Sequence, residues 1–332
     1  MEADSQVLRF RSHDPKEHSD VLRPWDLQIN QVSPGKFLGT VDAIATPSML
    51  MYEERWSQRT VVRGSTPPGY VMIGIAPGWR RSQTNWCGSK IGFSTIAVGR
   101  PAGEMQVVAP RNSHHAVVLV QPQTLAQGLG AEWLDRICSE WSLDVEQDSG
   151  DLLWNRLLAA VRGFSERPEL LSRGDVARSL ESTIMETLIR CAESRGRGHP
   201  HVGTFRRARA LRSALDFAAA RQGRTTALEL STAAGVSQRT LEYTFRNALG
   251  TTPGRYLRVL RLNEVRRDLL EADPRAAYVG QIAFRRGFYH PGRFAARYRE
   301  QFGELPSRTL RRRPSVHPVL KDLTRGDLAS VA

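Results

Sequence analysis

Five arginines, Arg239, Arg246, Arg293, Arg297 and Arg299, fall in two segments of the chain that otherwise repeat one another. A guanidinium is a planar fork whose charge is permanent. It suits phosphate oxygens and the O6/N7 edge of guanine. The distribution of charge agrees. Residues 201–332 hold 25 of the 47 basic residues and 11 of the 34 acidic ones, whereas residues 1–200 are close to neutral. A basic excess confined to one region is the electrostatic footprint of nucleic-acid binding.

The repeat explains how such arginines would be positioned. Leu230 pairs with Ile282 and Gly235 with Gly287, 52 residues apart; Leu241 pairs with Phe294, Phe245 with Tyr298, Gly250 with Gly303 and Pro253 with Pro306, 53 apart. The second copy therefore has one extra residue in its turn. Leu230 or Ile282 anchors a first helix, and Gly235 or Gly287 ends it where a left-handed backbone is needed. Ser237 caps the second helix of one unit, and His290-Pro291 opens that of the other. Leu241 with Phe245, and Phe294 with Tyr298, are i,i+4 pairs that seat each second helix on a core. This is the pattern of two tandem helix-turn-helix units, with recognition helices beginning near Ser237 and His290. A helix of nineteen residues from Pro253 would join them. Its length of ~28 Å is close to the ~34 Å between successive major-groove segments on one DNA face.

The remaining sequence sets the frame. With 332 residues, 40% hydrophobic and 24% charged, the chain predicts two domains of α+β class. The expected divisions are a disordered 1–20, an effector-sensing or dimerisation domain at 21–195, a linker at 196–204, the double helix-turn-helix domain at 205–313 and a tail at 314–332. Short apolar runs such as LQINQV, FLGTVDAI, YVMIGIA, IGFSTIAV and HAVVLVQ, separated by Gly and Pro, predict a small β-barrel or sandwich; of the two the barrel is expected, followed by helices. Leu153, Leu157, Val161 and Phe164, and Val176, Leu180, Ile184 and Leu188, recur at helical spacing. Such stripes pack on their own domain or form a dimer face. No apolar run approaches a membrane span, and the N-terminus lacks a signal-peptide pattern, which predicts a cytoplasmic protein.

Catalytic chemistry finds no support. Cys87, Cys138 and Cys191 are scattered, and no P-loop, GxGxxG or GxSxG occurs. Glu104, His114 and His115 invite a metal, but adjacent histidines on a strand point to opposite faces. No metal or cofactor is expected. Tyr52, Trp56, Tyr70, Trp86 and Phe93, with Trp79, are candidate liners of a small-molecule pocket, or equally barrel core.

At the repeat, the text VSQRTLEYTFRNALGTTPGRYLRVLRLNEVRRDLL from Val236 and IAFRRGFYHPGRFAARYREQFGELPSRTL from Ile282 resembles the arabinose-regulator (AraC) family of bacterial transcription factors. QINQVSPGKFLGTV from Gln28 and the same C-terminal segments look like the ethanolamine-utilisation operon regulator subgroup. The resemblance implies an effector-sensing N-terminal domain and an activator of transcription; no effector is carried over, because no ligand set matches position by position. It also places base-reading residues around the first buried anchor of each recognition helix. These are Arg239, Glu242 and Tyr243 in the first unit and Arg293 in the second, where Gly292 and Ala296 stand at positions often polar in the family. Ser237, Gln238, Thr240, Arg246, His290, Arg297 and Arg299 are phosphate or secondary contacts. Leu241, Phe245, Phe294 and Tyr298 are core.

The expected function is an effector-responsive regulator of a catabolic operon, not an enzyme. Its expected partners are double-stranded DNA, RNA polymerase and a small molecule, with homodimerisation left open. The alternatives are a constitutive DNA-binding protein whose barrel only dimerises, and a metal-dependent barrel enzyme fused to a DNA-binding module.

Overall fold

The computed structural model describes residues 7–22, 25–77, 84–194 and 202–312. Its strands are β1 (Val7–Ser12), β2 (Asp26–Gln31), β3 (Gly39–Ala45), β4 (Met49–Trp56), β5 (Thr60–Ser65), β6 (Val71–Ile75), β7 (Asn85–Trp86), β8 (Ser89–Lys90), β9 (Thr95–Gly99), β10 (Glu104–Ala109), β11 (Ser113–Val120) and β12 (Ser142–Asp144). The helices are α1 (Pro15–Val21), α2 (Pro122–Leu129), α3 (Ala131–Ser139), α4 (Gln147–Glu166), α5 (Gly174–Glu193), α6 (Val202–Ala220), α7 (Ala227–Ala233), α8 (Gln238–Leu249), α9 (Pro253–Glu271), α10 (Val279–Arg285), α11 (Pro291–Phe302) and α12 (Pro306–Leu310).

The strands form two antiparallel sheets, in the orders β1-β3-β4-β11-β6-β9-β12 and β2-β5-β10-β7-β8. The expected barrel is thus an open two-sheet sandwich. Closure would remove sheet edges; here the β2 edge is covered by a side chain from the helical module instead. Period-two alternation divides the side chains between layers. On β4, Leu50, Tyr52 and Trp56 enter the core between the sheets. Met49 and Met51 face the other way, into a second core. There Leu153, Leu157 and Val161 of α4 and Ile184 and Leu188 of α5 are buried, so both helical stripes pack on their own domain. Glu53, also on that outer face, ties α4 to the sheet. Its carboxylate accepts from Arg162 at 3.0 Å and meets His114 Nε2 at 3.0 Å. Burial pushes its pKa up, but the His114 and Arg162 hydrogen bonds outweigh this and hold it at about 2.

The five-stranded sheet is used on both faces as well. Val62 and Val107 point into the sandwich, while Val61 and Val108 point out, against Leu211 and Leu215 of α6 and Tyr256 and Leu257 of α9. The helical module is therefore docked on the sandwich by apolar contact. Its second half has a core of its own, built from Leu262, Val265 and Leu269 of α9 with Ile282, Phe294, Tyr298 and Phe302.

Residues 7–20, expected to lack order, fall in β1 and α1. A distant partner explains this. Asp14 caps α1 by accepting from the Lys16 N–H, and its Oδ2 lies 2.6 Å from Arg266 of α9. Arg266 also donates to Glu304 at 2.9 Å and to the Tyr298 hydroxyl at 3.2 Å. Burial alone would lower the Arg266 pKa, but Asp14, Tyr298 and Glu304 raise it above the usual value. Burial pushes the Glu304 carboxyl up, and the charges of Arg266 and Arg312 bring it below its usual value. The expected linker at 196–204 falls largely outside the described residues, and α6 begins at Val202, before the expected domain start at 205. The 314–332 tail, residues 1–6 and Trp79 lie outside the described residues too.

Two outcomes follow from these ties. Asp14→Ala leaves a buried guanidinium short of one carboxylate and is expected to cost about 3 kcal/mol in urea unfolding of the full chain; an unchanged midpoint would show that the tie is not needed. Glu53 titrates near pH 2 in the fold and near 4.5 when free, so its stabilisation is complete above pH 4.5 and is lost as the pH falls towards 2. Glu53→Gln should therefore be less stable than the parent at pH 6, with the difference closing near pH 2 in acid-unfolding curves.

Candidate nucleic-acid interface

Each helix-turn-helix unit is built as its residues require. In the first, Thr226 and Glu229 close a capping box on α7, and Gly235 turns the chain at φ 62°. Ser237 caps α8 by accepting from the Thr240 N–H at 3.2 Å. In the second, Gly287 turns the chain at φ 82°, and His290 with Pro291 opens α11 without a side-chain cap. Both recognition helices end on left-handed glycines, Gly250 and Gly303. Leu230, Ile282, Leu241, Phe245, Phe294 and Tyr298 are all buried. The six repeated pairs thus occupy equivalent places in the two units.

The candidate contact residues lie on the opposite face. Gln238, Arg239, Glu242, Tyr243 and Arg246 are exposed on α8; Gly292, Arg293, Ala296, Arg297 and Arg299 are exposed on α11, with His290 at its start. Glu242 and Arg246 lie 3.8 Å apart, and Arg207 of α6 sits 5.5 Å from the Tyr243 ring centroid. Thr240 is half-buried and its hydroxyl meets Ser237 Oγ at 2.9 Å, so both hydroxyls are engaged in the cap. Two exposed aromatics escaped the sequence reading. Tyr289, 67% exposed, is the one extra residue of the second turn; it packs edge-to-face on Phe284, centroids 5.2 Å apart, just before α11. The signal was available, since the insertion falls between Phe288, which matches Val236, and His290, which matches Ser237.

The sandwich grips the far end of each recognition helix. Arg59, just before β5, donates to the Ala248 carbonyl of α8 at 2.8 Å. The Gly35 N–H and Gln31 Nε2 both donate to the Gln301 carbonyl of α11, at 3.1 and 2.8 Å. Asn263 of α9 meets the open edge of β2, accepting from the Gln31 N–H and donating to the Gln31 carbonyl, each at 3.0 Å. None of these polar residues carries a sequence signal for such contacts.

Inside the sandwich, a cavity is lined by Tyr52, Trp56 and Trp86, as expected of pocket residues. Tyr70 and Phe93 are not on its wall. Tyr70 is buried in the core between the sheets, and Phe93 packs on Trp154 of α4 in the outer core. The adjacent histidines do point opposite ways. His114 lies against Trp154, while His115 reaches inward to Thr84 and Trp56. Glu104 is exposed and takes no part. Among the described residues, no cluster of metal-ligating side chains is present, and no helix is long and apolar enough to cross a membrane.

Comparison with known proteins matches residues 230–312 to a helix-turn-helix domain family. The probable thc operon regulatory protein of Rhodococcus erythropolis is 35% identical over 195 residues, 57% of this chain and 58% of that protein. The xylDLEGF operon transcriptional activator 1 of Pseudomonas putida is 45% identical over 78 residues, 24% of either chain. The chain thus spans a little over half of the first relative and about a quarter of the second. The crystal structure of a probable AraC family transcriptional regulator from Rhodopseudomonas palustris is 32% identical, covering 32% of this chain and 98% of that one, with a TM-score of 0.29. Residues 230–312 thus carry a helix-turn-helix domain.

Proposed function

We propose that the protein is a sequence-specific regulator of transcription that sets α8 and α11 into successive major grooves of one DNA duplex. The observation that carries this reading is the pair of outward-facing helices, each with its apolar face buried and its arginines exposed, joined by the nineteen residues of α9. Arg239, Glu242 and Tyr243 read bases in the first unit, against guanine, cytosine N4 and a thymine methyl. Arg293 reads guanine in the second. Arg246, Arg297 and Arg299 hold phosphates, as do the helix openings at Ser237 and His290. The first unit supplies more of the specificity and the second more of the salt-sensitive anchoring.

The sandwich acts as the sensor of a small molecule, and RNA polymerase is the partner through which bound protein activates a catabolic operon. The two relatives named above are a probable operon regulator and an operon activator, which supports that role. Neither is described as an ethanolamine-operon regulator, so that subgroup is not carried forward. The grip of the sandwich on both recognition helices favours sensing over a purely dimerising sandwich, because it gives the N-terminal domain a direct hold on how the two helices are presented.

Arg293→Ala should cost about 1–3 kcal/mol on the cognate site and relax discrimination at one base. Equal weakening on all sequences in gel shifts would make Arg293 a phosphate contact. For Arg297→Ala the salt dependence of binding should fall by about one unit of slope; an unchanged slope counts against the division of labour. Affinity and transcription indifferent to every candidate metabolite would favour the constitutive reading.

A further inference from the structure

The cavity between the sheets is lined by a carboxylate oxygen that lacks a hydrogen-bond partner. Glu54 lies on the inward phase of β4, with Tyr52 and Trp56, and lines the cavity. Its side chain is 6% exposed, and its Oε1 has no hydrogen-bond partner. The nearby nitrogen, His18 Nε2 at 3.6 Å, is not a donor to it. Trp56 Nε1 donates to that same nitrogen at 2.9 Å, and an indole N–H only donates, so His18 Nε2 is the bare acceptor of the ring. The ring proton then sits on Nδ1 and goes to Ser12 Oγ at 2.8 Å, whose hydroxyl turns to the Gly39 carbonyl.

The imidazole on the cavity wall, His115, is neutral. His115 Nε2 pairs with Thr84 Oγ1 at 2.9 Å, and burial pulls the ring's pKa down to about 4. No lysine or arginine lines the cavity among the described residues. The rest of the wall is chiefly aromatic and aliphatic, with Trp25, Tyr52, Trp56, Trp86 and Met72 prominent. A buried carboxylate without a cation is costly, and the cost is recovered when a cation arrives.

From this geometry we infer that the cavity takes a small ligand with a flat apolar body and a cationic nitrogen head, the head docking on Glu54 Oε1 and the body among Trp25, Tyr52, Trp56 and Trp86. The inference rests on the reading of the sandwich as a sensor and names the ligand class for it. A carboxylate head would be repelled by Glu54, and a neutral head would leave its charge uncompensated. Trp25 Nε1 on the same wall also lacks a partner, so an acceptor atom on the ligand body adds to the fit.

The test is calorimetric titration of the full chain with three molecules of one shape: 2-phenylethylamine, 2-phenylethanol and phenylacetate. The amine is expected to bind about tenfold tighter than the alcohol, with the acid weakest. Glu54→Gln should bring the amine level with the alcohol and leave the alcohol unchanged. Val107→Phe, which fills the cavity from β10, should abolish binding of all three. Equal binding of amine and alcohol by the parent, tightest binding of the acid, or no binding of any of them overturns the assignment; so does amine binding that survives Val107→Phe. Thermal unfolding of ligand-free Glu54→Gln should not fall below the parent, which separates lost recognition from lost folding. Sensing is read apart from this. An amine that binds through Glu54 yet leaves DNA affinity and transcription unchanged defeats the sensor reading while the head-group assignment stands.

Discussion

Helix α9 carries five consecutive buried residues, Leu262, Asn263, Glu264, Val265 and Arg266. Five in a row cover more than a full turn, so no face of the helix meets water there. That constraint governs the rest of the molecule. The apolar members hold the second helix-turn-helix core, Asn263 covers the edge of β2, and Arg266 binds Asp14 and Glu304. Such a helix cannot be amphipathic in the ordinary sense; each direction around it must find its own partner. Because α9 also joins the two units, its burial fixes them to each other and to the sandwich.

The two units are equivalent in framework and unequal in surface. The buried positions demand the same residue types in both, since each must cap, turn and seat a helix of twelve residues. The exposed positions carry no such demand. The first unit offers a mixed set of donor, acceptor and aromatic side chains; the second offers arginines beside Gly292 and Ala296, and adds Tyr289 in its longer turn. The sandwich holds the C-terminal carbonyls of both helices through Arg59, Gln31 and Gly35, leaving their N-terminal halves exposed.

What could be read in advance divides along the same line. Glycine, proline and apolar spacing state backbone requirements locally, so the repeat, its turns and the start of α9 at Pro253 were legible. The stripes of α4 and α5 were legible for the same reason. The docking was not. Asp14 and Arg266 are 252 positions apart, Gln31 and Gln301 270, and each alone is an ordinary surface residue type. The order of β1 and α1 depends on that docking, and so a polar N-terminal stretch read as unstructured. Barrel and sandwich were not separable in advance, because strand spacing does not reveal whether the sheet edges meet. In the cavity, Tyr52, Trp56 and Trp86 were found as aromatics, whereas Glu54 was hidden in the charged pair Glu53-Glu54. Alternation along β4 separates them, since Glu54 shares the phase of Tyr52 and Trp56 and Glu53 that of Met51.

One short element connects the cavity and the helix-turn-helix module. The first end of α1 is Asp14, which holds Arg266 of α9. Its middle is His18, which accepts from Trp56 and lies beside Glu54. Its last turn leads to Leu22, which lines the cavity, as does Trp25 beyond it. A seven-residue helix is about two turns, too short to bend internally and too short to be stable without both attachments. It therefore moves, if at all, as a unit. A rigid lever anchored at one end in a cavity wall and at the other on the axis joining two recognition helices needs no further chain of contacts to connect them. The physical requirement is a difference in how tightly that wall holds α1 with and without an occupant, and the carboxylate of Glu54, 3.6 Å from the ring of His18, is placed where such a difference would arise.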